Sequence, residues 1–486
     1  MKSITYYNLN KKTEVVNFET ALLRGMGSDY GLFMVTRKDI PKLSIDEIKE
    51  MKHMSYAQIA FKVLSPFLSS EIPSTKLEEL LNDAYREDVI PTKVQNVIGN
   101  THIMWLTNGP TYSFKDYAAR FFGRSLNYFL GERGLKRTVV VATSGDTGGA
   151  VADALHGLDN VDVIVFYPKG SVSDGQRRQM TTLGGNVYAF EVNGDFDVCQ
   201  ALAKNILANK LYAKNVFGDE ERFTSANSIS LGRLLPQAVY PFFAYSRVSK
   251  DGEPMIVSIP SGNFGDMMGT VIAKEMGLPI STIICGVNEN TEFPEFLKTG
   301  KYAVHATKKS PSSAMMVSHP SNLARLVDFY GGHIFDERDP FSGKVIREGV
   351  IDVMPDLDAM RKDIASFSVN NAAHYKTMRE VYAKHAIILD PHGAVGWKAL
   401  EDFLGKKNDQ LAVIYETADP GKFPEDVKKA IGRYPKVPQK MKEQEGAEER
   451  VYHISSAPEI ETSGMKLSLV QLQEAKEEIN RVINQN

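Results

Sequence analysis

Four short loops in this 486-residue chain gather the residue types that hold anions and carbonyl compounds. The first is Asn108-Gly109-Pro110-Thr111-Tyr112-Ser113-Phe114-Lys115-Asp116, a Gly-Pro turn followed by a lysine and then a helical pattern through Tyr117, Phe121 and Phe122. A lysine at such a junction is either an ordinary surface charge or an amine partly desolvated and able to form a Schiff base. The second loop, Thr143-Ser144-Gly145-Asp146-Thr147-Gly148-Gly149-Ala150, follows an apolar run and opens a helix pattern. Small and hydroxyl residues at a helix start either cap it or present free N–H groups to a carboxylate or phosphate.

The third loop, Ser261-Gly262-Asn263-Phe264-Gly265-Asp266, repeats that arrangement after the run Met255–Ile259. It matches neither the dinucleotide fingerprint nor a Walker A loop, so neither NAD nor ATP is indicated. The fourth, Thr417-Ala418-Asp419-Pro420-Gly421-Lys422-Phe423, puts a threonine hydroxyl at the end of the run Leu411–Tyr415. A Schiff-base lysine together with a phosphate cradle implies a ligand carrying both an aldehyde and a phosphate. Pyridoxal 5′-phosphate carries both, and a neutral hydroxyl such as that of Thr417 could serve its ring nitrogen.

Such loops need strands and helices behind them. Short runs rich in Val and Ile (Thr138–Ala142, Val161–Tyr167, Met255–Ile259, Thr282–Val287, Ala386–Leu389, Leu411–Tyr415) alternate with helical stretches from about residue 100. Several are apolar on both faces, as covered parallel strands are. The expected class is therefore α/β, with the site at the carboxyl ends of the strands. Residues 1–95 read as a mainly helical segment. There, Ser44–Glu47 and Thr75–Glu78 fit capping boxes, and the span from Tyr56 is helical until Pro66 interrupts it. Residues 96–435 hold the alternating pattern. Lys436–Gly464 reads as a solvated connector, and Leu469, Leu472, Ala475, Ile479 and Ile483 mark a final helix packing on the body.

Composition narrows the functional classes. Hydrophobic residues make up 43% and charged residues 24%, with 57 basic against 60 acidic side chains and a net charge of −3. Nothing in that balance draws the chain to nucleic acid or an anionic membrane. The apolar runs are too short for a membrane helix, and residues 1–10 lack the stretch of a secretory signal, so a cytoplasmic protein is expected. Cys199 and Cys285 form no Cys-x-x-Cys pair, and the histidines show no metal spacing.

The motifs taken together resemble the threonine synthases, in the longer form found in many bacteria and fungi. They are Gly31-Leu32-Phe33, Gly109-Pro110-Thr111 with Phe114-Lys115-Asp116, Ala142–Gly148, Leu183-Gly184-Gly185-Asn186, Gly194-Asp195-Phe196-Asp197, Ser225-Ala226-Asn227-Ser228-Ile229, Pro260–Asp266, and Thr417-Ala418 with Lys422-Phe423. The resemblance implies fold type II of the pyridoxal-phosphate enzymes, with two interleaved α/β domains of parallel-rich sheets and the cofactor in a cleft between them. It implies that Lys115 holds the cofactor as a Schiff base, that Gly262, Asn263, Phe264, Gly265 and Asp266 form the cofactor phosphate loop, and that Thr417 meets the ring nitrogen. Ser144, Gly145 and Thr147 would receive the substrate carboxylate, with Asp146 turned to the cofactor ring. Asn227, Ser228 and Arg233 would hold the substrate phosphate, for which a planar guanidinium fork is suited.

The implied reaction converts O-phospho-L-homoserine and water to L-threonine and phosphate. A phospho-lyase releasing 2-oxobutyrate, an amino-acid dehydratase and a non-catalytic binding protein of the same fold are the alternatives. The sequence carries Asn108 and Asp419 where many members have histidine. Oligomeric state is not legible.

Overall fold

The computed structural model describes residues 3–143, 145–227, 229–339, 345–405, 409–461 and 464–484. Its contacts divide the chain into two compact units. One comprises Met1–Ala21, Met26–Ala118 and Ser228–Lys436; the other comprises Leu22–Gly25, Ala119–Asn227 and Val437–Asn486.

The first unit is built on a six-stranded sheet in the order Ile364–Ser368, Ile280–Val287, Met255–Pro260, Leu411–Glu416, Thr101–Trp105, Lys93–Ile98. All neighbours are parallel except the last pair, an antiparallel hairpin at one edge. Every residue of Met255–Pro260 and of Leu411–Glu416 is buried, which is why these runs read as continuously apolar. The helix Pro391–Leu404 covers one face. Pro391 opens it, Asp390 caps it by accepting from the Gly393 N–H at 2.7 Å, and Trp397, Ala399 and Leu400 bury against Ile256, Ile284, Ala412 and Ile414.

The second unit has a five-stranded, all-parallel sheet ordered Val451–Ile454, Val187–Val192, Val161–Pro168, Arg137–Ala142, Phe223–Ser225. Its core joins Val140, Ile164, Phe166 and Phe190 to Leu202 and Ile206 of one helix and to Ala475, Ile479 and Val482 of the C-terminal helix Leu469–Asn484. Both sheets are parallel-rich, as an α/β fold requires.

Several local expectations are corrected. Ala386–Leu389 is not a strand. Ala386 takes a left-handed conformation (φ 55°) that ends the helix Asn371–His385, and the next residues are an extended link whose Ile387 and Leu389 bury without joining a ladder. Thr75 caps nothing, because the helix Ser74–Ala84 starts one residue earlier, behind Pro73. Pro66 does not stop its helix, which runs Tyr56–Leu68; the proline lies in the last turn, where the buried Phe67 and Leu68 hold the chain helical. Residues 3–95 also contain a three-stranded antiparallel sheet of Tyr6–Asn8, Val15–Val16 and Phe33–Val35. Part of the supposed connector is an edge strand: Val451–Ile454 pairs with Val187–Val192, and the Tyr452 ring lies 5.3 Å from Phe190. In the C-terminal helix the buried stripe is Gln471, Ala475, Ile479 and Val482, while Leu469 is 80% exposed.

No helix among the described residues is long and apolar enough to cross a membrane, and no cluster of three or more His, Cys, Asp or Glu among them could hold a metal ion.

Candidate active site

The strands Thr101–Trp105, Leu411–Glu416 and Met255–Pro260 are successive parallel neighbours, so their carboxyl ends share one edge of the first unit's sheet. From those ends the chain enters the Lys115, Thr417 and Gly262 loops. Segments more than 300 positions apart are then stitched together. The Phe114 N–H donates to the Thr417 carbonyl at 2.9 Å, the Asp419 N–H to the Tyr112 carbonyl at 3.0 Å, and the buried Lys422 Nζ to the Thr111 carbonyl at 2.8 Å (311 positions away).

The Lys115 loop is folded around Asp116. Its carboxylate accepts from the Thr111 N–H at 2.9 Å and the Thr111 hydroxyl at 2.5 Å. A Cβ on Gly109 would collide with the Asp116 side chain, so this close wrap requires glycine. Lys115 is half-buried at the start of the helix Lys115–Arg133, with Nζ 5.2 Å from the centre of the Phe114 ring.

The Gly262 loop turns from strand to helix through Phe264, whose φ of 60° lies in the left-handed region. A Cβ on Gly262 would come within 2.8 Å of the Ala314 carbonyl. The helix Gly265–Glu275 begins here, so its first N–H groups face the loop. Asp266 is buried at this point. Burial pushes its carboxyl up to about 7, against the opposing pull of the Met267 N–H and the Lys115 charge.

Arg233 is 4% exposed in the short helix Leu231–Leu234; burial pushes its guanidinium down to about 10, while Tyr240 and Asp116 favour the charge. Thr417 is buried beside a set of acids. The fully buried Glu416 accepts from the Asp390 N–H at 2.8 Å, and burial together with the Asp390 charge pushes its carboxyl well above the usual range. Asp419 accepts from the Gly421 N–H at 2.7 Å, and burial raises it to about 6. His392 has both ring nitrogens engaged: one pairs with Asp390 and the other accepts from the Ala314 N–H at 3.1 Å, while the ring packs edge-on to Phe423. It braces the Thr417–Phe423 loop.

The remaining sequence-predicted residues belong to the second unit. Arg137–Ala142 and Phe223–Ser225 are adjacent parallel strands, and their carboxyl ends lead into the Thr143–Thr147 and Ala226–Asn227 segments. Thr143 Oγ1 accepts from the N–H groups of Gly145 and Gly148, both at 2.9 Å. Gly145 has φ 144° before the helix Asp146–Leu155, and Asp146 accepts from Gln176 Nε2 at 2.9 Å. Thr147 and Asn227 are half-buried, and the Asn227 N–H donates to Ser225 Oγ at 3.3 Å. Ser144 and Ser228 lie outside the described residues. The structure thus gathers Lys115, Gly262–Asp266, Thr417 and Arg233 within one unit, and Gly145, Asp146, Thr147 and Asn227 within the other.

Sequence reading passed over Asp390, Glu416 and Gln237. Asp390 had a signal, since Asp-Pro before a helical pattern marks an N-cap. Glu416 had none, because a carboxylate at the end of an apolar strand reads as exposed.

Comparison with known proteins agrees with this geometry. The model of the pyridoxal-phosphate dependent enzymes matches residues 105–414, that of the threonine synthase N terminus matches 5–85, and that of the threonine synthase C-terminal region matches 393–462. The threonine synthase of Escherichia coli K12 is 34% identical over 443 residues, covering 90% of this chain and 93% of its own length. This chain belongs to the threonine synthase family.

The family relationship extends to Saccharomyces cerevisiae, whose threonine synthase is 33% identical over 87% of this chain and 88% of its own. It extends also to solved structures. The pyridoxal-phosphate-bound threonine synthase of Brucella melitensis superposes with a TM-score of 0.86 at 30% identity, covering 99% of both chains. The chain is therefore a pyridoxal-phosphate-dependent lyase of fold type II. The residues present fit that cofactor. Gln237 Oε1, packed against Gly265 of the turn, is buried and has no hydrogen-bond partner among the described residues. An unsatisfied polar atom so placed fits a polar ligand held at the turn.

Proposed function

We propose that this chain converts O-phospho-L-homoserine and water to L-threonine and phosphate, with Lys115 as the catalytic residue. The observation that carries this reading is the convergence of Lys115, the Gly262–Asp266 turn and Thr417 on one sheet edge, tied by the Phe114–Thr417 hydrogen bond.

Lys115 would hold the cofactor aldehyde, the N–H groups of Gly262 to Gly265 its phosphate, and the Thr417 hydroxyl its ring nitrogen, with Asp146 turned to the ring. Bound there, pyridoxal phosphate supplies an electron sink for the charge left when protons leave the substrate carbons. Lys115, as a free amine, takes the proton from Cα and returns it there. A Cβ–H bond and the Cγ–O bond break, phosphate leaves, hydroxide from water adds at Cβ, and a proton is delivered to Cγ. The Ser144–Thr147 segment would grip the substrate carboxylate through N–H groups at the start of the helix Asp146–Leu155. Asn227, Ser228 and Arg233 would grip the substrate phosphate. Burial disfavours the guanidinium charge there, and a dianion would add to the support from Tyr240 and Asp116, which favours phosphorylated over plain amino acids.

The test is product analysis with O-phospho-L-homoserine. Threonine and phosphate formed in equal amounts support the reading, whereas 2-oxobutyrate as the main product overturns it.

A further inference from the structure

Arg325, on the helix Leu323–Phe329, is fully buried, at 0% exposure. All three of its nitrogens donate to neutral oxygens: Nε to the Phe33 carbonyl at 3.0 Å, Nη1 to Asn322 Oδ1 at 2.6 Å, and Nη2 to the Ile229 carbonyl at 2.6 Å. Among the described residues no carboxylate pairs with it. Burial alone acts on the group, and it pushes the guanidinium down to about 9. A buried charge without a countercharge is a large liability for a fold unless something outside the chain offsets it.

The bonded path from Arg325 shows where that offset falls. Asn322, held by Nη1, turns its own amide to the Asn263 carbonyl, with Nδ2 at 3.0 Å and the backbone N–H at 3.2 Å. The Ser321 N–H donates to Asn263 Oδ1 at 3.2 Å. Both carbonyl oxygens of Asn263 are thereby drawn to one side. The guanidinium lies one side chain behind the Gly262–Asp266 turn, and its third donor pins the segment that leads to Arg233.

We infer that Arg325 is a positioning residue of the anion site: through Asn322 it fixes Asn263, and its buried charge is balanced by the phosphate dianion of the cofactor at the Gly262–Asp266 turn. This rests on the reading of that turn as the cofactor phosphate loop. The charge acts at the distance of one intervening amide, where low dielectric keeps it effective.

The test compares pyridoxal 5′-phosphate with pyridoxal, which lacks the phosphate, binding to the full chain freed of cofactor. Arg325→Gln should weaken the phosphate form about tenfold or more and leave pyridoxal nearly unchanged. The ³¹P resonance of the bound phosphate should also begin to titrate at higher pH in this variant. Asn322→Asp is a second variant that keeps the acceptor for Nη1 and the backbone donor to Asn263 while supplying an internal countercharge. It should lose the same preference, and it decides the matter if Arg325→Gln does not fold. Equal weakening of both ligands, or an undiminished preference for the phosphate form, overturns the inference. A wild-type chain that binds pyridoxal as tightly as pyridoxal 5′-phosphate would instead remove the reading of the turn itself, and the inference with it.

Discussion

The Phe114 N–H donates to the Thr417 carbonyl at 2.9 Å, so the residue before the lysine and the hydroxyl residue assigned to the ring nitrogen are held by one backbone bond. A bridge between Ser113 and Ala418 continues the pairing. The two loops are thus joined directly through their main chains. The separation of the main chain at Lys115 from that at Thr417 is set by backbone bonds.

Lys115→Ala should lose both turnover and the visible absorbance band of the bound cofactor. Lys115 is half-buried at the first position of its helix, and alanine is a good helix former there, so the fold should persist. The expected loss of turnover is at least about 10²–10⁴-fold. Absorption spectra and product formation check it together; a variant that kept the band and the turnover would leave Lys115 without its assigned role.

The loops were legible in the sequence because each follows a run of buried strand residues and opens a helix. Gly262-Asn263-Phe264-Gly265 after Met255–Pro260 is the clearest case. Which loops meet was legible only through the family resemblance, because residue patterns do not give strand order: Leu411–Glu416 sits between Met255–Pro260 and Thr101–Trp105 despite their separation in the chain. Strand order likewise hid the contact between Asp390 and Glu416, which touch only once the Leu411 strand is inserted. Ile387 and Leu389 misled as a strand because burial against Trp397 demands apolar residues whether or not a ladder forms. The strand Val451–Ile454 escaped because polar neighbours dilute its four residues.

Lys422→Met should destabilise the chain and loosen the cofactor. The ammonium donates to the Thr111 carbonyl at 2.8 Å in a buried setting, so removal takes a charge-assisted bond from that acceptor at a cost of about 1–3 kcal/mol. The Gly109–Lys115 turn would lose one of its ties to the Thr417 loop. Urea titration reads the stability change, and cofactor titration should show weaker binding; unchanged values for both would mean that the tie contributes nothing.

Asp266 gives a pH signature in the cofactor-free chain. Its carboxyl lies at about 7 when folded, against an ordinary value of 3.8. Between those values the folded state keeps a proton that the unfolded state releases. This contribution is therefore fully present below about pH 4, is lost as pH rises to about 7, and is flat above. Asp266→Asn, which keeps the acceptor for the Met267 N–H, should remove that slope. The difference between wild type and variant should approach ~1.4 kcal/mol per pH unit at its steepest and favour the variant at pH 8. Denaturant midpoints across this range check it; parallel pH curves for the two proteins would contradict it.

Arg233→Gln should separate substrate binding from cofactor binding. The side chain is buried and its charge is disfavoured by desolvation, so a phosphate dianion facing it adds to the support that Tyr240 and Asp116 give. Loss of a charge-assisted bond of about 1.5–3 kcal/mol corresponds to a fall in kcat/KM for O-phospho-L-homoserine of about 10- to 100-fold. Inorganic phosphate, acting as a product inhibitor, should weaken by a similar factor. The absorbance band of the bound cofactor should not change, because Lys115 and the Gly262–Asp266 turn are untouched. A variant with normal phosphate inhibition would show that the substrate phosphate is held elsewhere, and the buried guanidinium would then belong to the Asp116 charge beside it.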